Sequence, residues 1–123
     1  MTRVLVVDDE PQLLELLALT LRLRGYQVNA AASGEAALTL ARAQPFDVAV
    51  LDVMMPGLNG FDTAARMREL PCPPRILFLT GLSGDESAAR GLSLGAAYLT
   101  KPFRPADLLA MIQALTVSAT GSS

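Results

Sequence analysis

The chain contains no histidine and no tryptophan, and it has a single cysteine, Cys72. The absence of histidine excludes Ser-His-Asp and Cys-His catalysis, and it excludes zinc sites built on histidine ligands. One cysteine cannot form an internal disulfide, and Cys72 lies in a proline-rich stretch that is typical of a loop. We therefore interpret Cys72 as a loop thiol without a functional role.

Long apolar runs and an excess of basic residues are also missing. No run approaches the ~20 apolar residues that a membrane-spanning helix needs. The first residues lack the layout of a signal peptide, because the apolar run at 4–7 stops at Asp8. The net charge is -2, whereas a nucleic-acid-binding surface is usually basic. These absences predict a cytoplasmic domain that binds neither membranes nor nucleic acid.

The composition that remains is that of one folded domain. The 123 residues are 51% hydrophobic, which supports one buried core and excludes an intrinsically disordered chain. We expect the domain to span residues 1–117, followed by a small polar tail or linker at 118–123. Lys101 is the only lysine beside nine arginines. Because a compact ammonium is not interchangeable with a planar guanidinium, Lys101 is a candidate functional residue.

Short apolar runs alternate with longer amphipathic segments along the chain. This pattern predicts strands at 3–7, 27–31, 47–51, 75–79 and 97–99. It predicts helices that start at Pro11, after Ser33, near Phe61, at Asp85 and at Pro105. Five strand–helix repeats predict an α/β, doubly wound fold, in which helices cover both faces of a parallel sheet.

Polar residues stand where the predicted strands end: Asp8, Asp9, Asp52, Thr80 and Lys101. In sheets of this kind function collects at the carboxyl ends of the strands, so we expect these side chains at one edge. An isolated aspartate there is more often a turn former, and Asp8 or Asp9 is also able to cap the first helix. The functional interpretation therefore depends on the whole set.

Three carboxylates within ~5 Å of one another would repel by roughly 3 kcal/mol per pair at an effective dielectric constant of 20. A hard divalent cation resolves this conflict, and Mg²⁺ suits an all-oxygen site. The lack of soft or nitrogen ligands argues against Zn²⁺ and Cu²⁺. A metal beside a lysine and a hydroxyl forms a clamp for a phosphoryl group, and a carboxylate among them is able to act as the nucleophile.

Several segments resemble the receiver domains of two-component response regulators: VLVVDDE, LDVMMPGLNG, LFLT and YLTKPF. The resemblance runs over residues 3–117, with the motifs in the family's order. It implies the flavodoxin-like receiver fold, with five parallel strands in the order 2-1-3-4-5. It also implies a signalling switch, phosphorylated by a histidine kinase or phosphotransfer protein, that is not a turnover enzyme.

Carried over residue by residue, the resemblance makes Asp52 the phosphoacceptor. Asp8 and Asp9 then position Mg²⁺ together with Asp52, with Asp9 as the more direct ligand of the two. The backbone carbonyl of Met54 completes the protein ligands of the metal. Lys101 pairs with the phosphoryl oxygens.

The resemblance also implies a conformational switch. Thr80 hydrogen-bonds the phosphoryl group, and Tyr98 matches the aromatic position that changes rotamer; the alternative for Tyr98 is a half-buried core aromatic. The Lys101–Pro102 bond matches a cis bond of the family. The stretch at 95–97 is one residue shorter than in the family, which bears on the Tyr98 geometry. We expect the helix at 85–94, the fifth strand and the last helix to form the effector or homodimer surface.

The first helix carries two leucine stripes. The expected core stripe comprises Leu14, Leu17 and Leu21. The second leucine stripe comprises Leu16, Leu19 and Leu23. A helix that is apolar all round needs a second partner. We predict that the second stripe docks a helix of the phosphodonor kinase, with Gln12 and Thr20 at its margins; the alternative is scattered exposed leucines, which are common.

The residues two positions past Asp52 and Thr80 are apolar, namely Met54 and Leu82. Apolar groups there cannot orient a hydrolytic water, so we predict a long-lived phosphoryl-aspartate. Two other functions stay open at this point. A phosphohydrolase with a nucleophilic aspartate usually carries a second acid where this chain has Met54. A phosphorylation-independent interaction domain with the same fold does not need Asp8, Asp9 and Asp52.

Overall fold

The computed structural model describes residues 2–81 and 97–121. The strands are β1 (Arg3–Val7), β2 (Gln27–Ala31), β3 (Val48–Asp52), β4 (Arg75–Thr80) and β5 (Ala97–Thr100). The helices in the described ranges are α1 (Pro11–Arg22), α2 (Gly34–Ala43), α3 (Gly60–Met67) and α4 (Pro105–Gly121). The helix predicted at 85–94 lies outside the described residues.

The strands form one parallel sheet in the order β2-β1-β3-β4-β5, as predicted. The strand order reverses next to β1, which lies between β2 and β3. Val7, at the end of β1, pairs with Leu51 of β3. The residues that follow these two positions, Asp8 and Asp52, are therefore brought to the same edge of the sheet.

Each face of the sheet has its own apolar core. On β3, Leu51 packs in the core shared with α2 and α3, and its neighbour Val50 packs in the core shared with α1 and α4. β4 alternates in the same way, with Phe78 on the first side and Leu77 on the second. Side chains of a strand point alternately to opposite faces, so a strand covered on both sides is apolar throughout.

The predicted starts of two helices are confirmed. α1 begins at Pro11, and Ser33 caps α2 by accepting a hydrogen bond from the Ala36 N–H at 3.1 Å. The alternative considered for Asp8 and Asp9, that one of them caps α1, is not observed. Glu10 occupies the cap position of α1, and Asp8 Oδ1 instead accepts the Glu10 N–H at 2.9 Å. The second carboxylate oxygen of Asp8, Oδ2, is thus available for interactions at the carboxyl edge of the sheet.

Several boundaries differ from the sequence pattern. β4 and β5 each end one residue later than predicted, at Thr80 and Thr100. β3 lies one residue later than predicted, so that Asp52 is its last residue. α3 ends at Met67, before the prolines, because the chain tightens there and the Leu70 N–H donates to the Met67 carbonyl. α4 runs to Gly121, and the predicted change from domain to tail after residue 117 stays a prediction. None of the helices in the described ranges is long and apolar enough to cross a bilayer.

The two leucine stripes of α1 predict different effects of the same substitution. Leu21 is fully buried, whereas Leu19 is 53% exposed. We expect Leu21→Ala to lower the free energy of unfolding by about 3 kcal/mol, because it leaves a cavity in the core. Leu19→Ala should change it by less than about 0.5 kcal/mol. Urea denaturation of both variants measures this, and equal losses would contradict the exposed position of Leu19.

Candidate functional site

Three aspartates meet at the carboxyl edge of the sheet. Asp8 and Asp9 follow β1, and Asp52 ends β3. One carboxylate oxygen of each lies within 4.8 Å of the others. Asp8 and Asp52 are buried, and Asp9 is exposed. The three aspartates therefore form one cluster, as predicted, and Asp9 lies on its solvent-exposed side.

Lys101 reaches this cluster from the far side of β4. Its Nζ lies 3.5 Å from Asp8 Oδ2 and 3.5 Å from Asp52 Oδ1. The Lys101 N–H donates to the Thr80 carbonyl at 2.8 Å, which continues the pairing of β4 with β5. The Lys101–Pro102 bond is cis, as the resemblance implies. The only lysine of the chain thus lies between the two buried carboxylates.

One ammonium does not balance three carboxylates. Burial and the charge of Asp8 raise the pKa of Asp52, and Lys101 and the Met54 N–H, at 3.4 Å from Asp52 Oδ1, oppose the rise. Asp8 Oδ2 is buried and accepts no hydrogen bond from the described residues. The Lys101 ammonium at 3.5 Å is shared between this oxygen and Asp52, so one cation faces two buried carboxylates. The oxygen-only donor set, with an exposed side at Asp9, fits Mg²⁺.

Thr80 lies on β4, the strand next to that of Asp52, and Tyr98 lies on β5, the strand beyond it. Thr80 is the last residue of β4 and is buried. It follows Leu79, the residue that pairs with Asp52, and so belongs to the same edge. Tyr98 of β5 is half-buried, with its ring centroid 5.5 Å from that of Phe78. This position fits both interpretations of Tyr98, the switch and the half-buried core aromatic, and its role as a switch stays a prediction.

The loop between β3 and α3 (residues 53–59) holds Met54, whose side chain is 61% exposed. Gly57 has a φ of 72°, a conformation that favours glycine. Asn59 caps α3 by accepting the Asp62 N–H at 2.9 Å, a contact not predicted from the sequence although asparagine is a common cap. Leu82, the other predicted neighbour of the phosphoryl group, lies outside the described residues.

The second leucine stripe faces away from both cores, as predicted. Leu16, Leu19 and Leu23 are 55%, 53% and 76% exposed. A groove of about 340 Å³, here called the α1 groove, opens beside this stripe. It is lined by Glu10, Leu13, Leu16, Leu17, Thr20, Lys101, Pro102, Phe103, Pro105 and Leu108. Of the five predicted docking residues, Leu16 and Thr20 line the groove, whereas Gln12, Leu19 and Leu23 do not.

Comparison with known proteins gives consistent matches. The model of the response regulator receiver domain matches residues 4–113. The chain is 41% identical over 113 residues to the transcriptional regulatory protein YvrH of Bacillus subtilis, covering 90% of this chain and 47% of that protein. It is 41% identical over 114 residues to the probable transcriptional regulatory protein TcrX of Mycobacterium tuberculosis, covering 91% and 48%. The chain thus spans about half the length of these curated relatives.

Solved structures agree with this result. The CheY-like response regulator receiver domain protein of Methanospirillum hungatei superimposes with a TM-score of 0.94 at 27% identity, covering 100% of this chain and 99% of that chain. Chemotaxis protein CheY4 of Vibrio cholerae gives a TM-score of 0.85 at 38% identity, covering 94% and 98%. Receiver domains use Mg²⁺ at an acidic pocket and act as signalling domains rather than turnover enzymes. The chain therefore belongs to the response regulator receiver domain family, whose function is a phosphorylation-dependent switch in two-component systems.

Proposed function

We propose that Asp52 accepts a phosphoryl group from a histidine kinase or phosphotransfer protein, in a reaction that requires Mg²⁺. The observation that carries this proposal is the position of Asp52, buried between two other carboxylates and the Lys101 ammonium at 3.5 Å. Aspartate is an established nucleophile for phosphoryl groups. The cytoplasmic location predicted from the sequence belongs to the same proposal.

Carboxylate oxygens of Asp8, Asp9 and Asp52 and the backbone carbonyl of Met54 would hold the metal. When bound, Mg²⁺ supplies positive charge against the oxygens of the phosphoryl group. The buried Asp8 Oδ2 accepts no hydrogen bond from the described residues and shares the Lys101 ammonium with Asp52, which supports this assignment. Asp9 is exposed and leaves a path by which the ion enters.

The side chains of the site have different roles in phosphoryl transfer. A carboxylate oxygen of Asp52 forms the new bond to phosphorus, while the bond between phosphorus and the donor breaks. Lys101 opposes the rise in the pKa of Asp52 that burial causes. It then neutralises the phosphoryl oxygens, since its Nζ already lies beside the attacking group. The Thr80 hydroxyl, at the same edge, donates a hydrogen bond to the phosphoryl group.

The switch follows from the hydrogen bond to Thr80. When Thr80 moves toward the phosphoryl group, space opens next to β5 and Tyr98 turns inward. The Tyr98 ring packs against Phe78, so its rotation changes the packing of β5 with the core. The surface that reports this change to an effector or to a second copy comprises β5, α4 and residues 85–94, of which the last lie outside the described residues.

The phosphodonor docks through an apolar helix against α1. The α1 groove is open and mainly apolar, and Lys101 lines it directly. A donor seated in the groove therefore stands next to the group that pairs with Asp52. The half-exposed Leu16 and Leu19 extend the apolar surface along α1. Because about half of each of these residues is already buried, covering the rest contributes about 1–1.5 kcal/mol each.

The first test is phosphorylation by acetyl phosphate with Mg²⁺, followed by intact mass. The wild-type chain should gain one phosphoryl group, and Asp52→Asn should gain none, because the amide cannot attack phosphorus. Asp107→Asn is the matched control, since this exposed aspartate lies in α4, outside the cluster. An adduct that persists in Asp52→Asn would contradict the assignment, and a wild type without any adduct would favour the interaction domain.

The second test separates docking from chemistry. Leu16→Asn and Leu19→Asn should each slow transfer from a histidine kinase by about tenfold, the loss of one apolar contact of about 1.4 kcal/mol. The rate with acetyl phosphate should stay unchanged, because this donor needs no docking surface. Leu23→Asn, at the far end of the stripe, should have a smaller effect. If both rates fall together, the docking surface is wrong.

The third test concerns the lifetime of the phosphoryl group. Met54→Asn should shorten the half-life about fivefold, because a side-chain amide is able to orient water by a hydrogen bond of about 1 kcal/mol. Met54→Leu, which keeps an apolar side chain, should leave the half-life unchanged. The decay is followed by intact mass after removal of acetyl phosphate. An unchanged or longer half-life in Met54→Asn would contradict the role of Met54.

A further inference from the structure

The first turn of α2 packs directly against the loop at 53–59. A Cβ atom on Gly34 would lie 2.9 Å from the carbonyl oxygen of Leu58, and it would come still closer to Thr63 Oγ1. The φ of Gly34 is not positive. A side chain is therefore excluded at Gly34 by the neighbouring atoms and not by the backbone conformation.

Thr63 connects this contact with the end of the loop. Its Oγ1, the atom next to Gly34, donates a hydrogen bond to the Asn59 carbonyl at 2.8 Å. Thr63 is fully buried, so neither the contact nor the hydrogen bond is exchanged with water. The position of Asn59 thus depends on a side chain that is itself held between α2 and α3.

The loop at 53–59 also packs closely against the end of β3, the strand that ends in Asp52. A Cβ on Gly60 would lie 2.9 Å from the carbonyl carbon of Asp52, and its nearest neighbour would be the Asp52 carbonyl oxygen. The Gly60 N–H donates to the Val53 carbonyl at 3.1 Å, which closes the loop into a ring. If the loop is displaced where it contacts α2, the other residues of the loop, including Met54, are therefore displaced as well.

We propose that Gly34 and Thr63 are positioning residues for the metal site, because together they set the place of the loop backbone at Met54. This inference rests on the proposed function, in which the Met54 carbonyl is a ligand of Mg²⁺. Groups that orient a metal ligand from outside the coordination shell typically change metal affinity by about 10- to 100-fold. Asp52 and Lys101 are not part of this contact.

The test is titration of the protein with Mg²⁺ by calorimetry. Gly34→Ala should raise the dissociation constant for Mg²⁺ at least about tenfold, because its methyl group displaces Leu58. Phosphorylation by acetyl phosphate should slow at low Mg²⁺ and recover at saturating Mg²⁺, since the nucleophile and Lys101 are unchanged. Hydrogen exchange of the loop amides in metal-free protein should increase as well.

Two further sets of variants separate positioning from stability. Ser33→Ala removes the cap of the same helical turn without adding volume, so it should lower the melting temperature and leave Mg²⁺ affinity unchanged. Thr63→Val keeps the shape and loses the hydrogen bond to Asn59, so it should weaken Mg²⁺ binding. Thr63→Ser, which keeps the donor, should restore affinity to within about twofold of wild type.

The possible results are distinct. Unchanged Mg²⁺ affinity in both Gly34→Ala and Thr63→Val overturns the inference, and a wild type that still binds Mg²⁺ and gains a phosphoryl group leaves the proposed function intact. An equal loss of affinity in Ser33→Ala also overturns it, because stability alone would then explain the effect. A wild-type chain that binds no Mg²⁺ overturns both.

Discussion

Repulsion between carboxylates at one edge of the sheet is the constraint on which the site depends. Asp8 and Asp52 are both buried, Asp9 is close to them, and the Lys101 ammonium lies between the two buried groups. With all four groups ionised, the cluster keeps an excess of negative charge. Without a bound cation, that excess lowers the stability of the folded domain. It also makes this edge of the sheet a binding site for a divalent cation.

The sheet order is what makes this crowding possible. β1 and β3 are neighbours, and their registers bring Asp8 and Asp52 to the same level. The next strand, β4, separates them from β5, and only a long side chain such as that of Lys101 crosses the distance. The two apolar cores hold the strands from both faces, so the carboxylates cannot move apart to relieve the repulsion.

Periodicity and strand-end residues were sufficient to predict the parallel sheet and the meeting of Asp8, Asp52 and Lys101, because these depend on local patterns and on one rule of topology. The strand order required the family resemblance. The contact of Gly34 with Leu58 could not be predicted, since it depends on how closely α2 and α3 pack on one face. The α1 groove likewise could not be predicted, because it depends on how the residues after β5 pack beside α1.

Function and stability oppose each other at Asp52. Burial and Asp8 raise its pKa in the folded state, so the folded protein binds this proton more tightly than the unfolded chain does. Stability is then lost as the pH rises from the ordinary pKa of an aspartate through the raised one. The ionised, reactive form is therefore the less stable form of the fold. A cation that binds only the folded cluster recovers that stability by mass action, which couples metal binding to the order of the site.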